Sequence, residues 1–175
     1  REDAFSYEGG IADFVCYLNQ DKTVLHEAPV FIEGVRDGIH IAAAVQYNDT
    51  YTDNIVSYVN NIPTGEGGMH ETGFKAALTR VMNEHLRKSG LLKEKAANLS
   101  GEDFREGLCA VLALKMQNVQ FEGQTKSKLG NPEARPAVEA VVAEQLSLYL
   151  EDLRNAGTVE KVLGKAVEAA RVREA

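Results

Sequence analysis

Phe74, Ala77, Leu78, Val81, Met82, His85 and Leu86 fall at i, i+3, i+4, i+7, i+8, i+11 and i+12. That period predicts a long amphipathic helix, with Lys75, Thr79, Arg80, Asn83 and Arg87 on its polar face. Upstream the pattern changes to a period of two. Val30 to Val35 and Ile39 to Tyr47 read as strands joined at Asp37-Gly38, a tight-turn pair. Ile39, Ile41, Ala43, Val45 and Tyr47 share one face of the second strand. Asn48-Asp49-Thr50 ends it, and residues 54–60 read as a third strand. Ile62-Pro63-Thr64-Gly65-Glu66-Gly67-Gly68 reads as a glycine-rich loop. Gly107 to Met116 is apolar on both faces, as in a central strand. Ser100-Gly101-Glu102-Asp103 has the signature of a short helix start. Further helices are predicted over 9–20, from about Pro132 to Leu150, and from Val159 onward, the last two separated by Asn155-Ala156-Gly157-Thr158. The order of elements predicts an α+β fold: a four-stranded, mainly antiparallel sheet with helices on one face and a C-terminal helix.

Composition narrows the function classes. A chain of 175 residues with 44% hydrophobic content suits one domain of ordinary size. A net charge of −7 excludes a basic module that coats nucleic acid, so any DNA contact would need a local patch or a partner chain. No apolar run reaches membrane-span length and no secretory signal is present, so no membrane partner is expected. Cys16 and Cys109 read as buried free thiols of a reducing compartment. They form no metal-ligand spacing with His26, His40, His70 or His85, and no metal site is expected. The chain opens at Arg1 and runs to Ala175 in a helical pattern without a stop signal, which we read as a segment of a longer protein.

The densest candidate chemistry is Gln124-Thr125-Lys126, between the apolar strand and the next helix. An amide, a hydroxyl and an ammonium in tandem, on a loop freed by Gly123, suit an anion such as phosphate. On charge alone, a lysine-rich loop is more often simply solvated. Gly65-Glu66-Gly67-Gly68 lacks the spacing of a dinucleotide-binding loop and reads as a structural turn. His70 reads as a capping or packing residue and His85 as a core or edge residue. Lys75, Arg80 and Arg87 form a basic strip or an ordinary solvated face. Asp103, Arg105 and Glu106 read as an ion-paired surface turn. No Ser-His-Asp or Cys-His arrangement is suggested, and no catalytic residue is assigned within the chain.

Several motifs then occur in a fixed order: Tyr47-Asn48-Asp49, Val59-Asn60-Asn61-Ile62-Pro63-Thr64, Gly67-Gly68-Met69-His70-Glu71-Thr72-Gly73-Phe74-Lys75, Arg105-Glu106-Gly107-Leu108 and Phe121-Glu122-Gly123-Gln124-Thr125-Lys126. Together, over nearly the whole chain, they resemble the transducer domain of the DNA gyrase B protein, the second domain of its ATPase half. The B protein of topoisomerase IV is a near relative. The resemblance implies a ribosomal-protein-like second domain with a left-handed βαβ crossover, occupying residues 1–157. Residues 158–175 would begin a helical extension toward the next domain. It implies that Gln124 and Lys126 contact the γ-phosphate of ATP held by an upstream ATPase domain, while Thr125 mainly shapes the loop. Mg²⁺ ligands and the catalytic Glu would lie outside this chain, which alone would be inactive. Lys75, directly after Gly-Phe, and Arg80 would face the cavity that receives DNA. The expected partners are the upstream ATPase domain, the downstream DNA-gate domain, gyrase A, double-stranded DNA and a second copy of gyrase B, in a bacterial cytoplasm. Two alternatives are the B protein of topoisomerase IV and the second domain of another ATPase of the superfamily acting on protein clients. The Glu-Gly-Gln-Thr-Lys loop and the Gly-Gly-x-His turn argue against the latter.

Overall fold

The structure is a computed structural model and describes residues 7–93, 96–122 and 127–174. The elements run α1 (Tyr7–Leu18), β1 (Val30–Arg36), β2 (Ile39–Tyr47), β3 (Asn54–Val59), β4 (Ile62–Pro63), α2 (Met69–Ser89), α3 (Gly101–Arg105), β5 (Leu108–Lys115), α4 (Ala134–Glu151) and α5 (Ala156–Glu174). A short 3₁₀ turn over Leu153–Asn155 separates the last two helices. The sheet order is β1-β2-β5-β3-β4. β3 and β5 are parallel and the other neighbours are antiparallel, so the chain crosses from β3 to β5 by way of α2.

The α+β class and the predominantly antiparallel pairing agree with the sequence, and two details differ. The sheet has five strands rather than four. Asn60 and Asn61 both take left-handed backbone angles, with φ of 51° and 68°, and turn the chain from β3 directly into β4. Helices also cover both faces of the sheet, not one. Alternation in β2 and β5 explains why: Ala43 pairs with Leu112 and Ala44 with Val111, so neighbouring pairs point to opposite faces. Ile41, Ala43, Val45, Ala110, Leu112 and Leu114 join the main core with α2, α4 and α5. Ala44, Cys109 and Val111 instead pack against Val15 of α1. Both faces of β5 are apolar because each has a helix to bury against. Burying a Leu or Val side chain contributes roughly 1.5–3 kcal/mol.

The β1–β2 turn has the conformation its sequence requires, with Asp37 and Gly38 at φ of 52° and 78°. The last helix begins at Ala156, three residues before the expected start, because the break lies at Asp152 rather than at Asn155–Thr158. The Asp152 carboxylate caps the 3₁₀ turn by accepting from Arg154 N at 3.0 Å. Val159, Val162, Leu163, Ala166 and Ala170 of α5 belong to the main core. Among the described residues, no helix is long and apolar enough to cross a membrane. Cys16 and Cys109 are both free thiols; Cys109 is buried as expected, whereas Cys16 is only half-buried.

Candidate functional site

Beyond β5, residues 120–122 return against residues 128–130 as the two arms of a short hairpin. Glu122 N donates to Lys128 O at 2.9 Å and Gly130 N to Gln120 O at 2.8 Å. Phe121 and Leu129 form an antiparallel bridge, and Leu129 is fully buried. The Asn131 side chain holds the base, accepting from Gln120 N at 2.6 Å and donating to Asn118 O at 3.0 Å. Gly123, Gln124, Thr125 and Lys126 lie between these arms and outside the described residues, so the three expected phosphate contacts have no geometry here.

The hairpin stem is docked on the turn that opens α2. Leu129 N donates to Gly67 O at 3.0 Å, Met69 N to Leu129 O at 3.1 Å, and Glu66 N to Ser127 O at 2.7 Å. The Ser127 hydroxyl also donates to the Glu66 carboxylate. Gly68 makes this approach possible. Its φ is 132°, and a Cβ there would lie 2.3 Å from Leu129 O and 2.6 Å from Leu129 N. α2 therefore starts without a side-chain cap, and the carbonyl of Leu129 takes the amide of its first residue. Sequence reading treated Gly65–Gly68 only as a turn. The signal for its second role was a pair of adjacent glycines ahead of a helix with no Ser, Thr, Asp or Asn at the cap.

A buried polar chain lies beneath that turn. His70 is fully buried, and its Nε2 lies 2.9 Å from Thr64 Oγ1. Thr64 Oγ1 lies 2.6 Å from Ser57 Oγ, and Ser57 donates to the Glu71 carboxylate. A carboxylate only accepts, so the direction is set. Ser57 gives its proton to Glu71, Thr64 gives its proton to Ser57, and His70 Nε2–H donates to Thr64. His70 Nδ1 is left as a buried acceptor with no hydrogen-bond partner among the described residues. Burial pushes the pKa of His70 down to about 4, which keeps the ring neutral. This is the packing role expected of His70, with a hydrogen-bonded function added.

Lys75 and Arg80 lie on α2, half-buried and exposed respectively. Both line a groove of about 590 Å³ together with Arg87 and Arg105. Those two arginines are committed elsewhere. Arg87 donates to the carbonyls of Lys93 and Ala96 and to Asn98 Oδ1, which ties the end of α2 to the following loop. Arg105 pairs with Asp53 at 3.3 Å. Lys75 also borders a second cleft, of about 330 Å³, whose other walls include Glu66, Glu71, Glu122 and Lys128. It is thus shared between the basic groove and the hairpin stem. His85 is half-buried and lines a separate groove between α2 and α4.

Asp103 is not part of a surface turn. Its side chain is 3% exposed, and it receives Arg173 from α5 at 2.8 Å and 3.2 Å. It completes a capping box with Ser100 at the start of α3. Burial alone would push its carboxyl up, but the bonds from Arg173 and Ser100 outweigh this and hold it below the usual carboxylate range. Among the described residues, no group of three or more His, Cys, Asp or Glu is placed to hold a metal.

The fold is shared with solved structures. The chain is similar to the 43K ATPase domain of Thermus thermophilus gyrase B, with a TM-score of 0.88 and 40% identity over 99% of this chain and 46% of that one. The family model described as DNA gyrase B matches residues 10–175. The chain belongs to the DNA gyrase B family. It is 50% identical to the DNA gyrase B protein of Halalkalibacterium halodurans over 175 residues, which is all of this chain and 27% of that protein. It is 51% identical to the DNA topoisomerase 4 B protein of Streptococcus pneumoniae over 174 residues, covering 98% and 26%. The chain therefore spans about a quarter of the length of these two relatives.

Proposed function

We propose that this chain is the transducer domain of an ATP-dependent type II DNA topoisomerase, in the cytoplasm of a bacterium. Residues 1–157 form the body of the domain, and residues 158–175, which take in most of α5 and its packing on the same core, begin the helical extension toward the next domain. Gln124 and Lys126 contact the γ-phosphate of ATP held by an upstream ATPase domain, and Thr125 shapes the loop. The observation that carries the reading is the docked hairpin: the arms on either side of Gln124-Thr125-Lys126 are fixed to the start of α2, so the stem is built and anchored. An amide, a hydroxyl and an ammonium are a donor set that fits a phosphate.

ATP, when bound, supplies a terminal phosphoryl group that is attached before hydrolysis and detached after it. The Lys126 ammonium and Gln124 amide have their acceptor in one state and lose it in the other. Charge-assisted hydrogen bonds contribute roughly 1.5–3 kcal/mol each, so two of them bias a domain orientation well beyond tenfold. β5 ahead of the loop and α4 behind it are rigid elements that carry this bias. Lys75 and Arg80 offer two cations to the phosphates of a duplex, a contact that would be weak alone and strongly salt-dependent. Gyrase A, a second copy of gyrase B and duplex DNA are the partners this assigns. The Mg²⁺ ligands and the catalytic Glu belong to the upstream domain, so the purified chain should show no ATP turnover of its own.

In the longer protein, Lys126→Ala should cut ATP turnover by at least tenfold while thermal unfolding stays unchanged. An unaltered rate removes the phosphate assignment. A second reading, the B protein of topoisomerase IV, is supported by the near-equal identities of 50% and 51% to relatives of the two kinds. Negative supercoiling by the complete enzyme supports gyrase, and decatenation without supercoiling supports topoisomerase IV.

A further inference from the structure

The proposed route from the loop runs along the chain, through β5 and α4. The structure contains a second connection, sideways into α2. The hairpin stem is bonded to the start of α2 by three backbone hydrogen bonds, from Leu129 N, Met69 N and Glu66 N, and by the Ser127 hydroxyl on the Glu66 carboxylate. Gly68 allows the two backbones to meet with no side chain between them. Below this joint, the His70–Thr64–Ser57–Glu71 chain ties the first turn of α2 to β3. Lys75, in the second turn, borders both the cleft at the stem and the basic groove.

We infer that Glu66 and Ser127 are positioning residues that make the hairpin stem and the start of α2 one mechanical unit, so a displacement of the hairpin displaces Lys75. This rests on the reading that the loop between the arms senses the γ-phosphate. The physical argument is that the first amide of α2 has no local acceptor. A helix start normally finds its partner in its own cap residue. Here the partner is a carbonyl on another segment, and the contact between that segment and Glu66 spans 61 positions of sequence. If the hairpin shifts, the helix start either follows or exposes an unpaired donor. The Glu66–Ser127 contact favours following, because it closes the joint on the side nearest the loop. Coupling of this kind is reciprocal: an anion held by Lys75 would stabilise the hairpin position that the nucleotide favours.

Amide hydrogen exchange in the full-length protein, with and without a non-hydrolysable ATP analogue, tests this. In the unaltered protein the analogue should slow exchange about tenfold both at the hairpin arms, residues 120–122 and 127–130, and across residues 67–75. Ser127→Ala leaves the three backbone bonds and removes the side-chain one, so it should keep the effect at the arms and reduce it across 67–75, and Ser127→Thr, which retains the hydroxyl, should restore it. Glu66→Ala should behave as Ser127→Ala does. Equal slowing across 67–75 in the Ser127→Ala and unaltered proteins would overturn the coupling. Lys126→Ala separates the two ideas. Loss of the effect at both places supports the phosphate reading, and an undiminished effect at the arms refutes that reading, whatever the Ser127 pair shows.

Discussion

The two ends of α2 are held in different ways. At its C-terminal end the helix stops by local means. Gly90 takes a left-handed angle, φ 82°, its N–H returns to Arg87 O, and Arg87 itself gathers the carbonyls of Lys93 and Ala96. Asn83 secures the same end, accepting from Leu99 N at 2.9 Å and donating to Leu99 O at 3.1 Å. The groups that cap this end lie within a short stretch of chain, with an exposed Lys88–Glu151 ion pair at 2.8 Å added from α4. At the N-terminal end nothing local suffices. Gly68 offers no side-chain cap, and the stem of a hairpin some sixty residues downstream supplies the acceptor. A helix end held locally is a structural fixture. A helix end held by another segment reports where that segment is, and this is the property the proposed relay requires.

The contrast can be broken most directly by giving both ends the same insult. Gly68→Ala puts a methyl group into the Leu129 backbone at a φ that only glycine adopts readily, so it should cost about 3 kcal/mol or more. Gly90→Ala meets open space and carries only the strain of a left-handed angle, so it should cost about 1 kcal/mol. Urea unfolding midpoints of the two variants measure the difference, and equal costs would remove the distinction between the ends.

A somewhat smaller effect belongs to His70. Its folded pKa lies near 4 against an ordinary value of 6.5, so the unfolded chain takes up a proton that the folded one does not. The stability associated with the neutral ring is fully present above pH 6.5. It is lost as pH falls from 6.5 toward 4, and the loss amounts to about 3 kcal/mol from this group. His70→Gln should start less stable at pH 7 but lose less between pH 6.5 and pH 4. Parallel curves for the two proteins would mean that burial does not govern the ring. The smallest effect sits at the other end of the helix. Arg87→Ala removes bonds that are mostly exposed, and it should cost about 1 kcal/mol with no change in pH dependence.

Much of this architecture was legible in periodicity. β2 appears with the limits read from its alternation, and the apolar stripe of α2 is buried at Phe74, Ala77, Leu78, Val81, Met82 and Leu86. The tight turn at Asp37-Gly38 follows from residues that tolerate left-handed angles. The same rule applied to Asn60-Asn61 would have revealed β4. The placement of α1 was also recoverable: Cys109 and Val111 alternate with Ala110 and Leu112 on a strand apolar on both sides, and both sides need cover. What could not be read were contacts made across long separations. Asp103 looks like a surface acid until Arg173 arrives from a helix 70 residues away. The docking of Leu129 on Gly68 is a backbone contact, which no side-chain pattern records. Gln124-Thr125-Lys126 was readable only as a motif, since three polar residues in tandem have no period.

One measurement bears most directly on the central claim: a structure of the full-length protein in complex with a non-hydrolysable ATP analogue. The account predicts Lys126 Nζ and the Gln124 amide at hydrogen-bonding distance, about 3 Å, from the γ-phosphate oxygens, with the hairpin still docked on Gly67 and Gly68. A Lys126 side chain directed into solvent, with the γ-phosphate held by other groups, would contradict it.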